Sequence, residues 1–165
     1  MDWGPSWQAL HNNWGNIASV AGLVVSAFTL WFAKKARIAA EDAKAAARRQ
    51  SLIDELQDAQ KKAEDLGAYL HQQKWEIVHL RSQEVITSCS QILLRWGAES
   101  LSTASHKNLL RAGQQSGSIA QIAIRALRTP PSNREFEDMC LAQQKALKLL
   151  SFEAASFAGI IEKAR

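Results

Sequence analysis

From Trp3 to Ala33 the chain carries no Asp, Glu, Lys or Arg, and the run ends abruptly in Lys34-Lys35-Ala36-Arg37. Its apolar centre, Ile17 to Phe32, contains no Pro. As a helix, Trp14 to Ala33 would span ~30 Å, the hydrocarbon thickness of a bilayer. Ser19, Ser26 and Thr29 fit such a helix, because a hydroxyl can bond to the carbonyl one turn back. Trp14 and Trp31-Phe32 stand at its two ends, where aromatic rings prefer the headgroup level. Trp3 and Trp7 suit a short interfacial segment before it. The pattern predicts a transmembrane helix over 14–33, preceded by a short extracytoplasmic tail, 1–13.

After Ala33 the pattern changes to that of amphipathic helices. No Pro or Gly interrupts Leu23 to Leu66, so the same helix is expected to continue as a juxtamembrane stalk over 34–66, with Gly67 as its stop. Ile38, Ala45, Leu52, Ala59 and Leu66 fall seven apart; Leu56 and Ala63 supply a second heptad position, which Asp42 and Arg49 interrupt earlier. This is a coiled-coil seam that could pair chains or pack on the chain's own domain. Over Ala68 to Trp96, the residues Trp75, Val78, Val85, Cys89, Ile92 and Trp96 mark one helical face, ended by Gly97. Leu109, Ala112, Ile119, Ala123 and Leu127 mark a third helix. Gly113 and Gly117 predict a kink or break within it. Thr129-Pro130-Pro131 is a stop, and Ser132 with Glu135 forms a capping box. Phe136, Met139, Cys140, Gln143, Leu147, Leu150, Ala154, Phe157 and Ile161 then form the longest apolar stripe. The fold expected is all-α: a single N-terminal transmembrane helix, a cytosolic helical stalk, and an up-down helical bundle over 67–165.

Charge orients this plan. Asp2 is the one charged side chain before the apolar run, the reverse of a cleaved signal peptide. Between Lys34 and Arg49 there are six basic and two acidic residues. The cluster led by Lys34, Lys35 and Arg37 therefore places this flank in the cytoplasm. The expected topology is single-pass, N-terminus out and C-terminus in, in a bacterial inner membrane. Ala18, Gly22 and Ser26, four apart, offer a small face on which two spans could associate.

The net charge of +4 is distributed unevenly. Residues 50–66 hold Asp54, Glu55, Asp58, Glu64 and Asp65 against Lys61 and Lys62. Ser100 to Arg134 contains no acid and carries Lys107, Arg111, Arg125, Arg128 and Arg134. Lys107, Arg111, Arg125 and Arg128 share helical spacing and make the candidate contact site. The readings open for them are a solvated basic face, contact with anionic lipid or an acidic protein, and a small phosphorylated ligand.

Other chemistry is sparse. Cys89 and Cys140 lie within amphipathic patterns and read as buried reduced thiols. His71 and His79, eight apart, lack a Cys or carboxylate to complete a metal set. Glu76 and Glu84 bracket His79, as charged residues on many helical surfaces do. No Gly-rich phosphate loop follows a strand. No catalytic residue, metal or cofactor is expected, and nucleic acid is not an expected partner.

The plan of one span followed by a small helical domain resembles that of many small bacterial membrane proteins, including membrane-acting anti-phage effectors. No motif narrows the resemblance to one family. The expected function is that of a membrane-anchored, non-enzymatic interaction or oligomerisation module at the cytoplasmic face. Its partners would be the bilayer, a second copy, or an unidentified protein. The alternative is a membrane-acting effector whose spans cluster and perturb the bilayer under control of the bundle.

Overall fold

The computed structural model describes the backbone of residues 4–163 and the side chains of 19, 21–97 and 100–159. Four helices and no strand make up the described residues: α1 (Gly4–His71), α2 (Trp75–Ser100), α3 (Thr103–Ala126) and α4 (Asn133–Lys163). The chain divides into two units, Met1–Ala47 and Arg48–Arg165.

In the first unit, every described side chain from Ala21 to Ala47 is exposed. Leu23 and Leu30, which share one side of the helix, retain 71% and 72% of their surface, and Phe28, on another side, retains 58%. Ser26 Oγ donates to the Gly22 carbonyl at 2.7 Å, and Thr29 Oγ1 to the Val25 carbonyl at 2.8 Å. Among the described residues no helix is long and apolar enough to cross a membrane. The side chains of 14–18 and Val20, which complete the span expected over 14–33, lie outside the described residues, as do those of the tail 1–13.

The second unit is an up-down bundle. The end of α1 contributes Leu52, Leu56, Ala59, Ala63, Leu66 and Leu70 to its core, each at most 3% exposed. Part of the stretch expected as stalk over 34–66 therefore belongs to the bundle. Cross-helix contacts give the topology. Lys62 meets Ser88 and Glu55 meets Arg95, so α2 runs antiparallel to α1. His79 meets the Ala120 carbonyl while Gly113 faces Cys89, so α3 runs antiparallel to α2. Asn108 meets Glu153 and Arg125 meets Glu135, so α4 runs antiparallel to α3. Gln143 reaches Ala63, and His71 packs against Phe136, which closes α4 onto α1. Thus α1 and α3 occupy opposite corners, each flanked by α2 and α4. Two layers of apolar residues fill the centre. One is built around Leu56, Val85, Ile92, Leu109 and Leu150; the other is built around Leu66, Leu70, Val78, Ile119 and Met139.

Three helix boundaries differ from the sequence expectation, each for a local reason. Gly67 does not stop α1; it is a buried helical residue, and α1 ends four residues later at His71. The stop is a Schellman arrangement. The Gln73 amide donates to the Leu70 carbonyl at 3.0 Å and the Lys74 amide to the Tyr69 carbonyl at 3.2 Å. Gln73 itself takes the left-handed conformation, with φ 56°, a position usually held by Gly. The second helix therefore starts at Trp75 rather than Ala68. The third correction concerns α3, which runs unbroken through Gly113 and Gly117. A Cβ at 113 would lie 3.8 Å from Cys89 Cβ, and one at 117 would lie 4.0 Å from Ile86 Cδ1. These glycines line the seam with α2 rather than breaking the helix.

Two expected boundaries match. Gly97 leaves the helical conformation with φ 32° and kinks α2 near its end. The Ser132 amide donates to Glu135 Oε2 at 2.9 Å and the Glu135 amide to Ser132 Oγ at 3.3 Å, completing the capping box of α4. The α4 stripe faces the core through Met139, Gln143, Leu150 and Ala154, with Leu147 and Phe157 half-buried at its edge. The side chain of Ile161 lies outside the described residues.

Candidate functional site

The four basic residues singled out, three on α3 and Arg128 just after it, are all exposed. Lys107, Arg111 and Arg125 fall on one stripe, with Gln114, Ser118 and Gln121, also exposed, between them. Arg128 follows just beyond the helix, its amide bonded to the Arg125 carbonyl at 3.0 Å. The stripe does not converge into a pocket. Lys107 and Arg125 stand ~27 Å apart along the helix axis. Arg125 lies 3.6 Å from Glu135, whereas Lys107, Arg111 and Arg128 have no ion pair among the described residues. This is a line of charge suited to an extended anionic surface rather than a socket for one small ligand.

A second feature, not visible from sequence spacing, is a groove of ≈ 600 Å³ between α1 and α2. Glu55, Asp58 and Lys62 line it from α1; Ser88, Gln91, Ile92, Leu94 and Arg95 line it from α2. Lys62 Nζ lies 2.6 Å from Asp58 Oδ2 and donates to the buried Ser88 Oγ at 3.0 Å. Arg95 donates to Glu55 Oε1 at 2.6 Å, and the Trp96 indole donates to Glu55 Oε2 at 2.8 Å. The four charges thus form two neutral pairs.

Burial sets the state of the thiols. Removal from water pushes the Cys89 thiol up to about 11, and burial with the nearby Glu137 raises that of Cys140. Both are free and are held as neutral thiols near neutral pH. His71 packs edge-on to Phe136, whereas His79 Nδ1 lies 3.2 Å from the Ala120 carbonyl. The two histidines do not meet. Glu84 pairs with Arg81 at 2.6 Å rather than serving His79. No group of three His, Cys, Asp or Glu is placed to hold a metal ion among the described residues.

Sequence reasoning passed over one buried acid. Glu153 is 2% exposed on the core side of α4. Its Oε1 accepts from Asn108 Nδ2 at 2.7 Å, and its Oε2 finds no partner among the described residues. The available signal was position: Glu153 follows Leu150 by three residues and precedes Ala154, within the apolar stripe. Its bond to Asn108 ties α4 to α3.

Of the residues expected to form a small association face, Gly22 has nothing within 4 Å of where a Cβ would lie, and Ser26 bonds within its own helix. The side chain of Ala18 lies outside the described residues. Lys35 Nζ sits 5.3 Å from the centre of the Trp31 ring, Arg37 pairs with Glu41 at 2.9 Å, and Lys34 is exposed. No family model matches the chain, and no curated protein or solved structure is similar to it.

Proposed function

We propose that this chain is a membrane-anchored, non-enzymatic interaction module, with its bundle held at the cytoplasmic face by a single span at the start of α1. One observation carries the reading: a charge-free helix whose large apolar side chains are exposed over most of its circumference and which ends at a basic cluster. Leu23, Val24, Val25, Phe28, Leu30, Trp31 and Phe32 are all between 49% and 72% exposed. Such a surface requires a cover of the same character, and for a charge-free run of this length a bilayer supplies it. The hydroxyls of Ser26 and Thr29 bond to their own helix, so they leave little polar demand on lipid. Lys34, Lys35 and Arg37 then suit the anionic inner surface.

The bundle supports the second half of the reading. Its core is filled, its groove charges are paired, and its distinctive outward feature is the basic face of α3. These properties suit recognition more than bond-making.

Cell fractionation of the full chain tests the anchor. The protein is expected in the membrane pellet after an alkaline wash, and Leu23→Arg with Val25→Arg is expected to release it. Recovery of the parent in the soluble fraction would overturn the anchor. Orientation is read by single cysteines in a Cys-free background: one at residue 8 should react with an impermeant reagent from outside, and one at residue 60 should not. Induced expression with a membrane-potential dye should leave the potential intact; its collapse would favour the effector reading.

A further inference from the structure

We propose that the bundle associates with a second copy of this chain, the basic outer face of α3 in one docking on the acidic outer face of α1 in the next. This rests on the reading of the bundle as an interaction module, and it names the partner and the surfaces.

The argument is charge complementarity between opposite corners of one molecule. The 24 residues of α3 contain no acid, and Lys107, Arg111 and Arg125 lie exposed along it, Arg125 alone with a carboxylate beside it, Glu135 of α4. On α1, Asp54, Asp58 and Glu64 are exposed and Asp65 is half-buried. Lys62 pairs with Asp58, and the exposed Lys61 lies on the same side of the helix, so these six side chains leave the face with a net charge of −2. Asp54 and Glu64 are instead held by the neutral amides of Gln50 and Gln60, each at 2.9 Å. Those hydrogen bonds orient the carboxylates without cancelling their charge. Each bundle therefore displays an under-compensated acidic face and an under-compensated basic face.

The two faces cannot meet within one bundle, because α1 and α3 sit at opposite corners. Between copies they can. Such a contact is heterologous: each new copy leaves one basic and one acidic face free, so the association propagates until it closes into a ring or continues as an array. An exposed ion pair is worth a factor of about 1.5 to 5 in association. Three or four together raise it about three- to several-hundred-fold at low salt. The contact is weak in dilute solution and stronger for chains confined to one surface.

The test uses the full chain in mild detergent, followed by sedimentation velocity. The parent should associate at about 50 mM salt and dissociate at about 500 mM, where the screening length is well under half as long. Two variants disable one face each: Arg111→Glu with Arg128→Glu, which leaves only Lys107 and Arg125 basic against two new carboxylates, and Asp54→Lys with Glu64→Lys. All four positions are exposed, and circular dichroism checks that both variants fold. Each alone should lose association at least about tenfold. Mixed, they should recover it, since the unaltered acidic α1 of the first meets the unaltered basic α3 of the second. A parent that stays monomeric at low salt, a variant that associates like the parent, or a folded mixture that stays monomeric would each overturn the proposal. Membrane fractionation of the same variants reads the anchor separately. Lost association with retained pelleting counts against this interface alone, whereas a soluble parent counts against the span.

Discussion

Gly67 of α1 and the Gln143 side chain of α4 share one space. A Cβ at residue 67 would lie 2.7 Å from Gln143 Nε2, the atom that donates to the buried Ala63 carbonyl at 2.9 Å. Gly67→Ala therefore displaces an amide that has a buried partner. The helix gains up to ~1 kcal/mol from losing a glycine, while a stranded buried amide costs about 1–3 kcal/mol. The net expectation is a lower melting temperature. Gly113→Ala is the control: its new methyl meets Cys89 at an ordinary 3.8 Å, so this variant should melt at or above the parent.

Core truncations should separate the two sides of the α4 stripe. Leu150 is 0% exposed in the middle of the bundle, and Leu150→Ala should cost about 2–5 kcal/mol in chemical denaturation. Leu147→Ala and Phe157→Ala, at half-buried positions, should cost less. Leu94 is 86% exposed, and Leu94→Ala should leave stability within about 0.5 kcal/mol of the parent.

The capping box gives a pH dependence with a definite sign. Hydrogen bonds from the Ser132 amide and hydroxyl, with Arg125 nearby, hold the Glu135 carboxyl below its usual range. A depressed carboxyl stabilises the fold above its unfolded pKa, and that stability is lost as pH falls through the folded value. The first turn of α4 should therefore show faster amide exchange, relative to the α4 centre, as the medium becomes more acidic than the ordinary Glu range. Glu135→Gln should flatten that dependence.

The thiols should respond at different rates. Cys140 is half-buried, whereas Cys89 is 2% exposed with its thiol pushed up to about 11. A thiol reagent at mildly alkaline pH should label Cys140 first. Cys89 should react only as the bundle opens, and should become fast in denaturant. Equal rates in the folded protein would contradict the burial of Cys89.

The amphipathic stripes were legible because periodicity records burial directly. Leu52 to Leu66 and Met139 to Ala154 read as faces and are faces. The errors came from residues whose meaning depends on the opposite helix. Gly67 has the chemistry of a terminator, but its hydrogen atom makes room for an amide distant in sequence. Gly113 and Gly117 look like breakers and instead sit inside an unbroken helix, where a methyl group would make only ordinary contact with α2. The true stop of α1 has a Gln where Gly is usual, so composition could not mark it. The α1–α2 groove was invisible for the same reason: Glu55 and Arg95 become neighbours only when the hairpin folds. The α3 charges, by contrast, needed only the helix period to be placed.

The order of the helices around the bundle also bears on how it assembles. Three of the four seams join helices consecutive in the chain, linked by short turns, so these contacts can form by local search. The fourth, between α1 and α4, joins residues as far apart as Ala63 and Gln143, 80 positions in sequence. Closing a longer loop costs more chain entropy, and non-local seams form later on that account. The Gln143 amide thus acts as a clasp on the slowest-closing seam. When the bundle opens, the α1–α4 seam is where it should part first.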